Sequence, residues 1–171
     1  MTDRVSGADV RARNERGGGD QRIVVAGVGN IFLGDDGFGV EVVRHLAGSP
    51  LPDGVELMDV GIRAVHLAYE LLSGCDLLIL VDASARGERP GTVTLLEVGG
   101  DDLGPAAAVI DAHGLAPEGV LALVRRLGAQ PGRTLVVACE PADLEPGMDL
   151  SDPVRAAVGE AARLIGTIVG G

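Results

Sequence analysis

The sequence predicts a single three-layer α/β domain, with helices on both faces of a mainly parallel, twisted five-stranded sheet and one antiparallel edge strand. Three observations carry this. Short Val/Ile/Leu-rich runs recur: IVVAGV at 23–28, DLLILVDA at 76–83 and TLVVAC at 134–139. They are too apolar to alternate, as strands buried on both faces are. Amphipathic stretches separate them, and strand–helix alternation implies parallel pairing. The length, 171 residues, suits one domain.

Taken in order, residues 1–21 are polar, mixed in charge and end in three glycines before Asp20. They lack the apolar surface to fold alone, so a disordered N-terminal tail is expected there, with the folded domain spanning 22–171. The first strand, 23–28, stops at Gly29-Asn30. A helix is expected over 37–47, with Val40, Val43 and Ala47 on one face and Glu41, Arg44 and His45 on the other. VELMDV (55–60) is the second strand and 62–73 the second helix. DLLILVDA is the third strand and TVTLLEV (92–98) the fourth. The link between these two is shorter than the roughly dozen residues a crossover needs, so the fourth strand should run antiparallel at an edge. Residues 99–116 read as a loop with weak helix potential at 102–109. A helix over 117–128 opens on Pro117, a favoured first-turn residue. After the fifth strand, 134–139, the last helix opens at Ser151 or Asp152 and runs to about residue 169.

Composition removes several classes of function. The formal net charge is -11, and the first 22 residues, with five Arg against four acids, leave about -12 for the rest. No basic stripe exists for nucleic acid or an anionic membrane. All 14 basic residues are Arg, which excludes a Schiff-base Lys, a Ser–Lys dyad and a P-loop Lys. Cys75 and Cys139 are far apart in apolar surroundings, as buried free thiols of a reducing compartment are. No apolar run reaches the ~18 residues of a membrane span, and no signal-peptide core is present, so a cytoplasmic protein is expected.

Function in such sheets gathers beyond the carboxyl ends of the strands. There the first strand is followed by Asp35-Asp36, the second ends in Asp59 and the third in Asp82, while the long loop carries His113. Clustered carboxylates repel, and a cation or shared proton relieves them. Two carboxylate oxygens and an imidazole nitrogen make a three-ligand set for a borderline divalent ion. Either Asp35 or Asp36 could instead cap the following helix. His66, inside the second helix, and His45, on a polar helix face, read as solvated or structural histidines. The glycines of GVGNIFLGDDGFG (27–39) do not form a dinucleotide loop, since Phe32 stands where the third glycine belongs and two acids face the pyrophosphate position. They suit tight turns and close backbone approach. No nucleophile elbow surrounds Ser84, and no H-E-x-x-H is present.

GVGNIFLGDDGFGVEVVRHL (27–46) resembles the opening signature of the hydrogenase maturation endopeptidases, GxGNxxxxDxGxG followed by an amphipathic helix. VELMDVG, LLILVDAS, the segment around His113 and ACEPADLEPGMDLSDPV (138–154) continue the resemblance over all but the tail. It implies an endopeptidase that removes the C-terminal extension of a nickel-iron hydrogenase large-subunit precursor after nickel insertion. It also implies that nickel in the substrate's active site is the recognition element, contacted through Asp36, Asp82 and His113. It is the resemblance that selects Asp36 over Asp35, at a position held by Asp or Glu in the family. Asp59 matches a further family acid, a candidate general base or a residue supporting the ligands. Many members have Asp-Gly-Gly where this chain has Asp59-Val60-Gly61 followed by Ile62-Arg63. The expected partner is the nickel-loaded precursor, with the protein itself a monomer, either apo or holding another divalent ion when isolated. The competing expectation is a non-catalytic nickel-binding docking module in hydrogenase assembly.

Overall fold

The structure, a computed structural model, describes residues 2–7, 21–98 and 117–170. Its strands are β1 (Thr2–Arg4), β2 (Ile23–Val28), β3 (Val55–Gly61), β4 (Leu77–Ala83), β5 (Val93–Val98) and β6 (Arg133–Cys139). Its helices are α1 (Phe38–Ala47), α2 (Ala64–Glu70), α3 (Pro117–Arg126) and α4 (Asp152–Val169), with 3-10 turns at Gly34–Gly37 and Leu71–Ser73. The sheet order is β1-β5-β6-β4-β2-β3. β3, β2, β4 and β6 run parallel, and β5 is antiparallel to β6. The five expected strands and the α/β class are therefore present.

The expected disordered tail needs one correction. Thr2–Arg4 pairs antiparallel with β5, Thr2 opposite Val98, and becomes the outermost strand. Val5 continues the pairing through a hydrogen bond to the carbonyl of Leu95, and its side chain packs against the core. β5 has no parallel neighbour on its outer side, and an unpaired strand edge recruits whatever extended chain can reach it. Residues 8–20 of that tail, the possible helix at 102–109 and His113 lie outside the described residues.

Side chains alternate across the sheet. Ile23, Val25, Ile79, Val81, Leu135 and Val137 bury against α1 and α4. Val24, Ala26, Leu78, Leu80, Val136 and Ala138 bury against α2 and α3. Both cores are aliphatic, and Phe38 is the one Phe placed inside.

Arg22 fastens the amino ends of three strands. It donates to both carboxylate oxygens of Glu56 at 2.9 Å, to Ser73 Oγ at 2.6 Å and to the carbonyl of Gly74 at 2.7 Å. The hydrogen bonds from Arg22 hold the Glu56 carboxyl below its ordinary 4.5. A depressed folded-state pKa stabilises above the unfolded value and is lost as pH falls through the folded one. Glu56→Gln should therefore lower stability at pH 7 by about 1 kcal/mol or less, since the pair is half exposed. The difference from wild type should vanish in urea melts well below 4.5.

Candidate functional site

The site is built where β2 stops. Gly29 has φ of +120°, and a Cβ there would collide with the carbonyl oxygen of Asp36. Gly39, in the first turn of α1, lies so close to the sheet that a Cβ would collide with the carbonyl oxygens of Val81 and Val28. The signature glycines thus bring the start of α1 down onto the carboxyl ends of β2 and β4, which is the close-approach role of glycine. Between them, Asn30 N–H donates to Asp36 Oδ2 at 2.6 Å, and Phe32 N–H donates to Asn30 Oδ1 at 3.0 Å.

The two adjacent acids do different work. Asp35 is 0% exposed. Its Oδ2 accepts from Ala142 N–H at 2.7 Å, Asp143 N–H at 2.9 Å and Ser151 Oγ at 2.8 Å, and its Oδ1 accepts from Ser151 N–H at 2.7 Å. Burial alone would raise its carboxyl, but these donors more than offset it and hold it below its ordinary value. Asp35 ties the segment 141–151 to the loop after β2. Because the Ser151 hydroxyl is spent there, α4 begins without a side-chain cap bond. Asp36 is partly buried and accepts from Asn30 N–H, and burial pushes its carboxyl above its ordinary value.

Asp82, 3% exposed, ends β4 beside β2. Gly27 is level with both Asp59 and Val81. Residues level in a sheet share a face, so Asp59 and Val81 lie on the α1 side and Asp82 on the α2–α3 side. Asp59 accordingly meets Arg44 of α1, Oδ2 to Nη2 at 3.4 Å, and its backbone carbonyl accepts from Arg63 at 2.9 Å. Asp36, in the turn that opens α1, and Asp82 stand at the ends of adjoining strands, while Asp59 stands beyond β2 on the α1 face, opposite to that of Asp82. Among the described residues no three His, Cys, Asp or Glu groups gather closely enough to hold a metal ion. His66 lies exposed 3.9 Å from Glu70, and His45 is exposed on α1, so neither joins the rim.

One residue of the rim escaped sequence reasoning. Glu140, 8% exposed, accepts from Arg86 N–H at 2.7 Å and Gly87 N–H at 3.3 Å, and so pins the link that follows Asp82. Its only signal was an acid directly after an apolar strand, the same signal that marked Asp82.

Cys139, level with Ala83 at the same rim, is fully buried, and burial pushes its thiol up to about 12. A thiol that stays protonated is no nucleophile. Iodoacetamide at neutral pH should add no mass to the native protein at Cys139, and both cysteines should alkylate after denaturation. Rapid native labelling of Cys139 would show that this end of β6 opens.

Residues 40–168 match the family model described as hydrogenase maturation protease. The chain is 38% identical over 144 residues to the hydrogenase expression/formation protein HupM of Azotobacter chroococcum mcd 1, covering 81% of this chain and 67% of that one. It is 36% identical over 141 residues to the hydrogenase 2 maturation protease of Escherichia coli strain K12, covering 80% and 84%. Among solved structures, the hydrogenase maturating endopeptidase HybD from E. coli superposes with a TM-score of 0.66 at 30% identity, covering 84% of this chain and 89% of that one. The [NiFe] hydrogenase maturation protease HycI from Thermococcus kodakarensis KOD1 superposes with a TM-score of 0.68 at 25% identity, covering 88% and 94%.

Proposed function

Because the chain belongs to the hydrogenase maturation protease family, we propose that it removes the C-terminal extension of a nickel-iron hydrogenase large-subunit precursor after nickel has been inserted. The observation that supports this most directly is the pair of acids at adjoining strand ends, Asp36 partly buried beside Asn30 and Asp82 almost fully buried. With His113 they would supply two carboxylate oxygens and an imidazole nitrogen, a donor set suited to a borderline divalent ion. The nickel belongs to the substrate, and gripping it registers the scissile bond against the rim. The isolated protein, with these three donors alone, would hold a divalent ion weakly.

Peptide hydrolysis requires a water oxygen to add to the scissile carbonyl carbon, the C–N bond to break and the departing amine to take a proton. Holding the carbonyl and the water in place can contribute roughly 7 kcal/mol of the barrier reduction. Of the two roles open to Asp59, general base or support, its exposure and its Arg44 neighbour favour support, on the far side of β2 from Asp82. The same reading has the protein act as a cytoplasmic monomer. No helix among the described residues is long and apolar enough to cross a membrane.

The test is the intact mass of a nickel-loaded precursor before and after incubation with the protein. One loss from the C-terminus, absent with nickel-free precursor, is expected. An unchanged mass accompanied by nickel transfer would instead favour a docking module.

A further inference from the structure

The chain has only two Phe and one Tyr, and one of those Phe residues is spent on the surface. Phe32, on the loop that carries Asp36, is 59% exposed. Beside it runs the strap Pro141–Leu150, on which Leu144 is 48% and Met148 71% exposed. The two are joined edge to edge. Gly147 N–H donates to the Phe32 carbonyl and Gly34 N–H to the Gly147 carbonyl, each at 2.9 Å, and Leu33 bridges Gly147. The strap is also acidic: from Glu140 to Pro153 there is no basic residue. Asp143, Glu145 and Asp149 are exposed, and among the described residues no ion pair reaches them. Met148 and Asp149 form one wall of a cleft of about 620 Å³ between α1 and α4. The two arginines of that cleft are already occupied, Arg44 by Glu41 and Asp59, and Arg155 by the Leu150 carbonyl and Asp152. The charge left uncompensated along this surface is therefore negative.

We infer that the strap Pro141–Leu150 and Phe32 form the surface on which the large-subunit precursor docks, and that they receive a stretch of it bearing apolar and basic side chains. This rests on the protease reading above. Large apolar side chains set in a polar surround are what anchor protein interfaces. Acids around them steer and select a basic partner. The position is right for the chemistry, since Phe32 stands four residues before Asp36 on a loop whose far end is fixed by Asp35 to the strap itself. A second exposed apolar stripe, Ile62, Val65, Tyr69 and Leu72 along α2, carries no comparable charge pattern and serves as the control surface.

The experiment follows cleavage of nickel-loaded precursor by intact mass as a function of precursor concentration and salt. Phe32→Ala/Met148→Ala and Glu145→Arg/Asp149→Arg are compared with Val65→Asp/Tyr69→Asp, after circular dichroism has shown each to be folded. Both strap variants are expected to raise KM by about tenfold or more, the loss falling on uniform binding. The charge variant should also lose the wild type's sensitivity to salt. The α2 variant should cleave as wild type does. Wild-type KM in both strap variants, with the wild-type enzyme active, would overturn the docking surface and leave the protease intact. A raised KM in the α2 variant alone would move the dock to α2. Failure of the wild type to cleave a verified nickel-loaded precursor would overturn the protease reading and this surface together.

Discussion

Asp36→Asn should leave nickel-loaded precursor uncut on the timescale of the wild-type reaction, with kcat/KM lower by about a thousandfold, equivalent to roughly 4 kcal/mol. The fold should not notice. The amide oxygen that replaces Oδ2 can still accept the Asn30 N–H, so the 2.6 Å bond that shapes the loop survives. Burial already disfavours the charged form of Asp36, so removing the charge relieves a desolvation cost. The melting temperature should therefore stay within about 2 °C of wild type or rise slightly. What is lost is the anionic oxygen offered to the substrate's metal, for which a neutral amide is a poor replacement. Asp36→Glu keeps that oxygen one methylene further out and should retain cleavage within about tenfold, because the loss is one of positioning rather than of charge. Time courses of intact precursor mass, read beside thermal melts, separate the two effects. Wild-type cleavage by Asp36→Asn would remove Asp36 from the site.

Much of this arrangement was written in local patterns. The apolar runs at 23–28, 76–83 and 134–139 have few alternatives to buried parallel strands, and the short link after Asp82 could lead only to an antiparallel neighbour. The rim followed from topology, which brings Asp36, Asp59 and Asp82 to the carboxyl ends of three adjacent strands. Three things were not legible, each for the same reason. β1 is three polar residues with no periodicity, and only the open side of β5 makes it a strand. The face on which Asp59 lies depends on its being level with Gly27 across two strands, which no local window contains. The division of labour between Asp35 and Asp36 is decided by donors at positions 142, 143 and 151, more than a hundred residues along the chain. Local propensity treats both acids alike, as caps for the helix that follows.

That long-range fastening makes Asp35 the residue whose loss should cost the most stability. In Asp35→Ala, three backbone N–H groups and one hydroxyl lose an acceptor that is 0% exposed. Buried donors to a charged acceptor are expensive to strand, and a total of about 4 kcal/mol is expected after relaxation and entry of water. For a domain of this size the melting temperature should fall by about 10 °C. Asp35→Asn discriminates further. Three of the four donors converge on Oδ2 and one on Oδ1. An amide oxygen placed at Oδ2 keeps the three, and its NH2 then faces the Ser151 N–H, donor against donor. The Asn variant should lose about half as much stability as the Ala variant. In the Ala variant the strap 141–150 comes loose from the Asp36 loop before the sheet unfolds, because the Asp35 carboxylate ties the two together, whereas the amide of the Asn variant keeps the bonds from Ala142 and Asp143. Limited proteolysis should then cut between Leu144 and Met148 faster than in wild type. Asp36→Asn, with the strap still fastened, should resist cutting as wild type does. An Ala variant melting within about 1 °C of wild type, with an uncut strap, would mean that the backbone bonds of Gly34 and Gly147 hold the two segments together without the carboxylate.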